Sequence, residues 1–214
     1  MVNLEIEAAK LAHSIDKPFD FALKRRLIRT LMDGRALLLR QSIMRNKKVS
    51  NECIQSFGIP IDKVKAFTNY YVDNYKISVI SRYDIPDPLR YDFDTPFVSV
   101  TSLDGSIGFT HSDLGSLRFN SHAGEFVSGT GRYIYHGHKI AAYHNEASLL
   151  TADMLLVRGV FEYPLDVKDY SGLYTYNEEH FPMPLDMVMQ IRDLINKGDL
   201  RIAPETQEVT INDK

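Results

Sequence analysis

The sequence predicts an α+β protein: an N-terminal long-helix bundle, a mid-chain antiparallel β region and a C-terminal helix. Three observations carry this. Residues Phe19 to Asn46 run with helical spacing, interrupted only by Gly34. A series of short β-rich segments follows, separated by glycine and proline turns about every ten residues. Pro182 and Pro184 then introduce an amphipathic stretch closed by Gly198.

The elements follow in order. Asn3 to His13 reads as a short helix, with Leu4, Ala8, Leu11 and Ala12 at helical spacing and Asn3 placed as N-cap before Glu5 and Glu7. Asp16-Lys17-Pro18 breaks it, and Pro18 suits the first turn of the next helix with Asp16 or Lys17 outside. That helix, to Asn46, spans about 40 Å at about 1.5 Å per residue. Its expected apolar face holds Leu27, Ile28, Leu31, Met32, Leu38, Leu39, Ser42 and Ile43, with Arg26, Arg29, Asp33 and Arg40 opposite.

Val49 to Val64 contains Gly58 and Pro60 and reads as extended chain or a short strand, whereas Lys76 to Tyr83 (KISVISRY) is β-branched and marks a strand. FVSVTS, SIGFTH, SLRFNS, EFVSGTG, RYIYHG and HKIAAYH come next, an antiparallel meander or small barrel. Asp153 to Glu162 is an apolar, central strand ended by Tyr163-Pro164. Leu185 to Lys197 is the last helix, with Ile191, Leu194 and Ile195 in its stripe and Gly198 as C-cap. The expected organisation is a helical lobe of residues 1–48 plus about 184–202, a β-rich lobe of 49–183, and an extended tail, 203–214.

Charge is distributed unevenly. The chain of 214 residues has a formal net charge of −3. Between Lys24 and Lys48 stand nine Lys or Arg against one acid, Asp33; the remaining 16 basic and 27 acidic residues balance to −11. A basic helix on an acidic body favours contact within the fold, between copies, or with an acidic partner. Arg35 stands apart from the polar face. It falls among Leu31, Leu38 and Leu39, where a guanidinium needs a carboxylate or carbonyl partner to offset several kcal/mol of desolvation.

Other chemistries have weaker signals. The single cysteine, Cys53, excludes an intrachain disulfide framework and a cysteine-rich zinc site. No run approaches the roughly 18 apolar residues of a membrane helix. Glu5 and Glu7 stand where a secretory signal wants basic residues, so a soluble protein with no membrane partner is expected. His136 and His138, at i and i+2 of a strand with His144 nearby, lack the further ligands of a metal site and read as hairpin histidines. SGTGR lacks the lysine and length of a phosphate loop, and no nucleophile elbow is present. No cofactor is expected. Paired carboxylates of a hydrolase need no linear motif, so that class stays open. Nucleic-acid binding through Arg26, Arg29 and Arg40 is the stronger rival, opposed by the acidic remainder.

KRRLIRTLMDGRALLLRQSIMRNKKVSNECIQSFG, RYIYHGHKIAAYH, LLVRGVFEYPLDV and FPMPLDMVMQIRDLINKGDLRI, in this order over Phe21 to Ile202, resemble the head-tail connector proteins of crAss-like and related short-tailed phages. RALLLRQ, RGVFEYP and the Pro-x-Asp-Met-Val helix carry most of the likeness. The resemblance implies a virion structural protein without enzymatic activity. It would form a closed ring, commonly of twelve copies, at the head-tail junction, touching the portal protein, neighbouring tail rings and, without sequence specificity, passing DNA. Arg25, Arg26, Arg29, Arg35, Arg40 and Arg45 are the expected subunit or partner interface.

Overall fold

A computed structural model describes residues 1–45, 49–64, 77–89, 95–113, 131–144 and 152–202. The chain divides into two compact units, one of Met1–Arg45 with Tyr176–Lys214 and one of Asn46–Thr175.

Among the described residues the first unit holds three helices. α1 (Leu4–Ser14) starts where the Asn3 side chain accepts a hydrogen bond from the Ile6 N–H at 3.0 Å, with Glu5 and Glu7 in the first turn where the helix dipole favours them. α2 (Phe21–Met44) is capped by Asp20, which accepts from the Leu23 N–H at 2.9 Å. Pro18 therefore lies before the helix, not in its first turn: a carboxylate in reach of the N–H two or three residues on outcompetes proline's preset φ. α3 (Leu185–Lys197) ends at Gly198, in the left-handed region at φ 79°, with the N–H groups of Asp199 and Leu200 returning to the Leu194 carbonyl.

Leu4, Ala8 and Leu11 of α1, Leu23, Leu27 and Leu31 of α2, and Val188 and Ile191 of α3 close one core, into which Phe181 and Met183 also point. Gly34 sets the crossing of α2 and α3, because a Cβ there would stand 2.9 Å from Cγ2 of the fully buried Ile191. Glu7 is buried as well, ion-paired to Lys10 at 2.7 Å and to Arg192 of α3.

The second unit is a closed β-barrel. Its strands are β1 (Gln55–Val64), β2 (Ile77–Ser81), β3 (Pro88–Leu89), β4 (Ser99–Ser102), β5 (Gly108–His111), β6 (Gly131–His136), β7 (Lys139–His144) and β8 (Met154–Phe161). Hydrogen bonding runs β1-β2-β7-β6-β5-β4-β8, and β8 returns to β1 from Gln55↔Gly159 to Pro60↔Met154. That makes a seven-stranded barrel, with β3 added only at Phe161 and Val160 of β8. Alternate residues fill the interior: Phe57, Ile59 and Ile61 from β1, Leu155 and Val157 from β8, and Val79, Val100, Phe109, Tyr133, Ile140 and Ala142 from the rest.

The expected fold class is corrected here. The chain is sheet-rich and built around a barrel, not an N-terminal long-helix bundle: among the described residues only α2 is long, at 24 residues, beside helices of 11 and 13. Nor is the sheet wholly antiparallel, since β5 and β6 run parallel with Phe109 opposite Gly131. Helical period is visible residue by residue, whereas the hydrogen bonds that close a barrel join segments as distant as β1 and β8 and leave no local mark. β1, expected as extended chain or a short strand, is the longest strand, at 10 residues. Glycine and proline inside it are tolerated because the Gly58 N–H and C=O pair with a crossing segment at Asp169 and Tyr170, while Pro60, with no N–H to donate, accepts from the Arg82 N–H at 2.8 Å and the Arg82 carbonyl takes the Lys139 ammonium instead. SLRFNS, most of EFVSGTG and the 203–214 tail lie outside the described residues.

Candidate assembly surface

The six arginines expected at an interface separate by burial. Arg25, Arg29, Arg40 and Arg45 are exposed, Arg26 is half-buried, and Arg35 is completely buried. Arg35 is enclosed within its own unit. Its Nε donates to the Pro182 carbonyl at 2.8 Å, and its guanidinium lies 5.6 Å from the centroid of the Phe181 ring. Of the two partner types the sequence required, carbonyl or carboxylate, the carbonyl is the one at Nε. Arg35 thereby ties α2 to the segment Phe181–Pro184, which also bridges to Val2 through paired 3.0 Å bonds.

Lys24, Arg25 and Arg26 follow the first turn of α2 as a cationic cluster near its N-terminus. Beside them stand two aromatic residues passed over by periodicity: Phe19 is 87% exposed and Phe21 78% exposed, with the Lys24 ammonium 5.3 Å over the Phe21 ring. Flanking Asp20, they sit where no preceding helical turn can cover them, and that position was the available signal.

The barrel unit carries a cleft of about 350 Å³. Tyr83 and Tyr170 stack along it, centroids 4.4 Å apart and planes within 8°; Phe57, Ile59 and Ile85 supply apolar lining. Asp84 and Asp166 supply acid, against Lys168. Tyr170 is held by the segment that crosses β1. Its N–H donates to the Gly58 carbonyl at 3.0 Å, and the Asp169 carboxylate accepts from the N–H groups of Gly58 (2.6 Å), Ser171 (3.2 Å) and Tyr174 (3.1 Å) and from the Ser171 hydroxyl. Burial opposes the charge of Asp169, but these hydrogen bonds, first that of Gly58, hold its carboxyl below the usual range. Nothing local in the sequence joins Tyr83 to Tyr170, 87 positions apart, so this site was not legible.

The histidines do not share a strand face. Gly137 and His138 form the two-residue turn between β6 and β7 with φ 57° and 62°, leaving exposed His136 at the strand end and His138 Nδ1 3.5 Å from Asp87. The Tyr135 hydroxyl donates to the Ile85 carbonyl and to Asp87, both at 3.0 Å; burial first, then Asp87, pushes its phenol well above the ordinary range. Among the described residues no group of three or more His, Cys, Asp or Glu is placed to hold a metal ion, and no helix is long and apolar enough to cross a membrane.

Exposed cations along α2, exposed aromatic rings on one unit and an aromatic cleft on the other suit a protein that assembles. The family model CrAss ring 2, described as phage tail ring protein 2, matches residues 12–214, and the chain belongs to this family of phage tail ring proteins. It is accordingly a structural protein of the bacteriophage virion, an oligomer-forming component of the tail. No curated protein matches the chain.

Proposed function

We propose that the protein is a head-to-tail connector: a closed ring of twelve copies, without enzymatic activity, that joins the portal to the tail rings and surrounds the path by which DNA leaves. The observation that carries this reading is the set of exposed cations on α2, Arg25, Arg29, Arg40 and Arg45, on a chain whose remainder is acidic. Exposed cations along one helix of an otherwise acidic chain suit a ring in which each copy meets the acidic surface of the next in a repeated heterologous contact. Arg26 flanks this surface, and Arg35 supports it from inside by fixing α2. The acidic remainder suits a lumen that lets DNA slide without gripping it. Assembly takes place in the host cytoplasm before tails join heads.

Replacing Arg25, Arg29 and Arg40 together by Gln tests the reading. Mass photometry, alone and with the portal, is expected to show annular oligomers for the native chain and loss of them for the variant. DNA is the competing partner for the same arginines. Gel shifts that are strong, salt-sensitive and abolished by the same changes, with ring formation untouched, would move the function to nucleic-acid binding.

A further inference from the structure

We propose that Phe19 and Phe21 of one copy seat in the Tyr83–Tyr170 cleft of the adjacent copy. This inference rests on the ring reading above and names the contact that builds the ring.

At 87% and 78% exposure Phe19 and Phe21 are the most exposed aromatic side chains among the described residues, on a unit that also exposes Met44, Met189 and Leu185. They are also rigidly presented. Asp20 between them is fixed by its bond to the Leu23 N–H, and Leu23 is anchored in the core, so little conformational freedom is lost when the pair is covered. The cleft is the matching shape, with apolar lining and a stacked tyrosine pair whose edges and faces suit further aromatic rings.

Charge is compatible with the same match. Lys17, Lys24 and Arg25 flank the phenylalanines in sequence, with Asp20 occupied as the helix cap. Asp84, 74% exposed and 3.0 Å from the Lys139 ammonium, and Asp166 border the cleft beside Lys168, and Asp87 stands next to His138 of the β6–β7 turn. A knob on the helical unit and a hole on the barrel unit make a heterologous contact. It repeats from copy to copy instead of stopping at a two-fold dimer, as the contacts of a ring must.

Rings assembled from equal amounts of ¹⁵N-labelled and unlabelled protein, with portal if the portal is needed, are treated with a zero-length carbodiimide and analysed by peptide mass spectrometry. Lys17 or Lys24 of one isotope is expected to be joined to Asp84 or Asp166 of the other. Rings in which those lysines link only to other acids overturn this contact and leave the ring reading standing; absence of rings under both conditions removes both. A second arm uses Phe19→Ser with Phe21→Ser, whose exposed positions leave the circular dichroism melt unchanged. The concentration for half-assembly is expected to rise at least about tenfold, as for loss of central aromatic anchors, and an unshifted value overturns the proposal.

Discussion

Gly58→Ala is expected to unlatch the segment that holds Tyr170. The added Cβ would stand 2.6 Å from Ser171 Cβ and 3.0 Å from its Oγ, with the Ser171 backbone N at 3.4 Å. No flexible side-chain end is available to move aside. If the segment stays, overpacking costs about 1–3 kcal/mol. If it lifts, the charge-assisted bond from Gly58 to Asp169 and the bond from Tyr170 to Gly58 are lost, about 2–4 kcal/mol together. Alanine's gain over glycine in a strand returns about 0.5–1 kcal/mol. The cheaper route sets the balance, a loss of about 0.5–2 kcal/mol, read by urea unfolding followed by circular dichroism. Ser171→Gly removes both contacting side-chain atoms, so in that background Gly58→Ala should cost less than in the native chain. An equal cost in both backgrounds, or a stabilised single variant, would refute the packing argument.

Gly34→Ala should destabilise the helical unit by about 1 kcal/mol, overpacking against Ile191 outweighing the helix-propensity gain, and should become stabilising once Ile191→Ala removes the clash; a urea double-mutant cycle reads the sign change. Arg35→Ala is expected to cost about 2–5 kcal/mol in the monomer, through the cavity and the orphaned Pro182 carbonyl, while Arg29→Ala changes monomer stability by less than about 0.5 kcal/mol. Urea melts of unassembled protein distinguish the core residue from the surface one. The Asp169 carboxyl is depressed in the folded state, so its contribution is present above the ordinary carboxylate value near about 3.9 and is lost as pH falls through the lower folded value. The stability advantage of the native chain over Asp169→Asn should therefore shrink on acidification below about pH 4, as followed by urea titration.

Local signals in the sequence were read well where the chemistry is local. Pro184, the apolar stripe and Gly198 locate α3 from Leu185 to Lys197, because caps and stripe are set by residues within one turn of one another. Asn3 as the cap of α1 is legible for the same reason. The misplaced start of α2 shows the limit, since Asp16 and Asp20 are both capping residues and only the backbone distinguishes them, Asp16 taking φ 58° in the preceding turn. Burial of Arg35 follows from its position among leucines, but its carbonyl partner, 147 positions away, does not. Of the meander and the small barrel that strand spacing leaves open, the barrel forms; which strands close it, the parallel β5–β6 pair and the tyrosine cleft rest on non-local pairing, which residue periodicity does not encode.

The connector reading meets its most direct test in cryo-electron microscopy of the head-tail junction of intact particles. It predicts this chain as a closed twelve-fold ring between the portal and the tail rings, with α2 of each copy, Arg25 to Arg45, against its neighbour. Density for the chain elsewhere in the particle, or a junction in which its copies do not close into a ring, would contradict it.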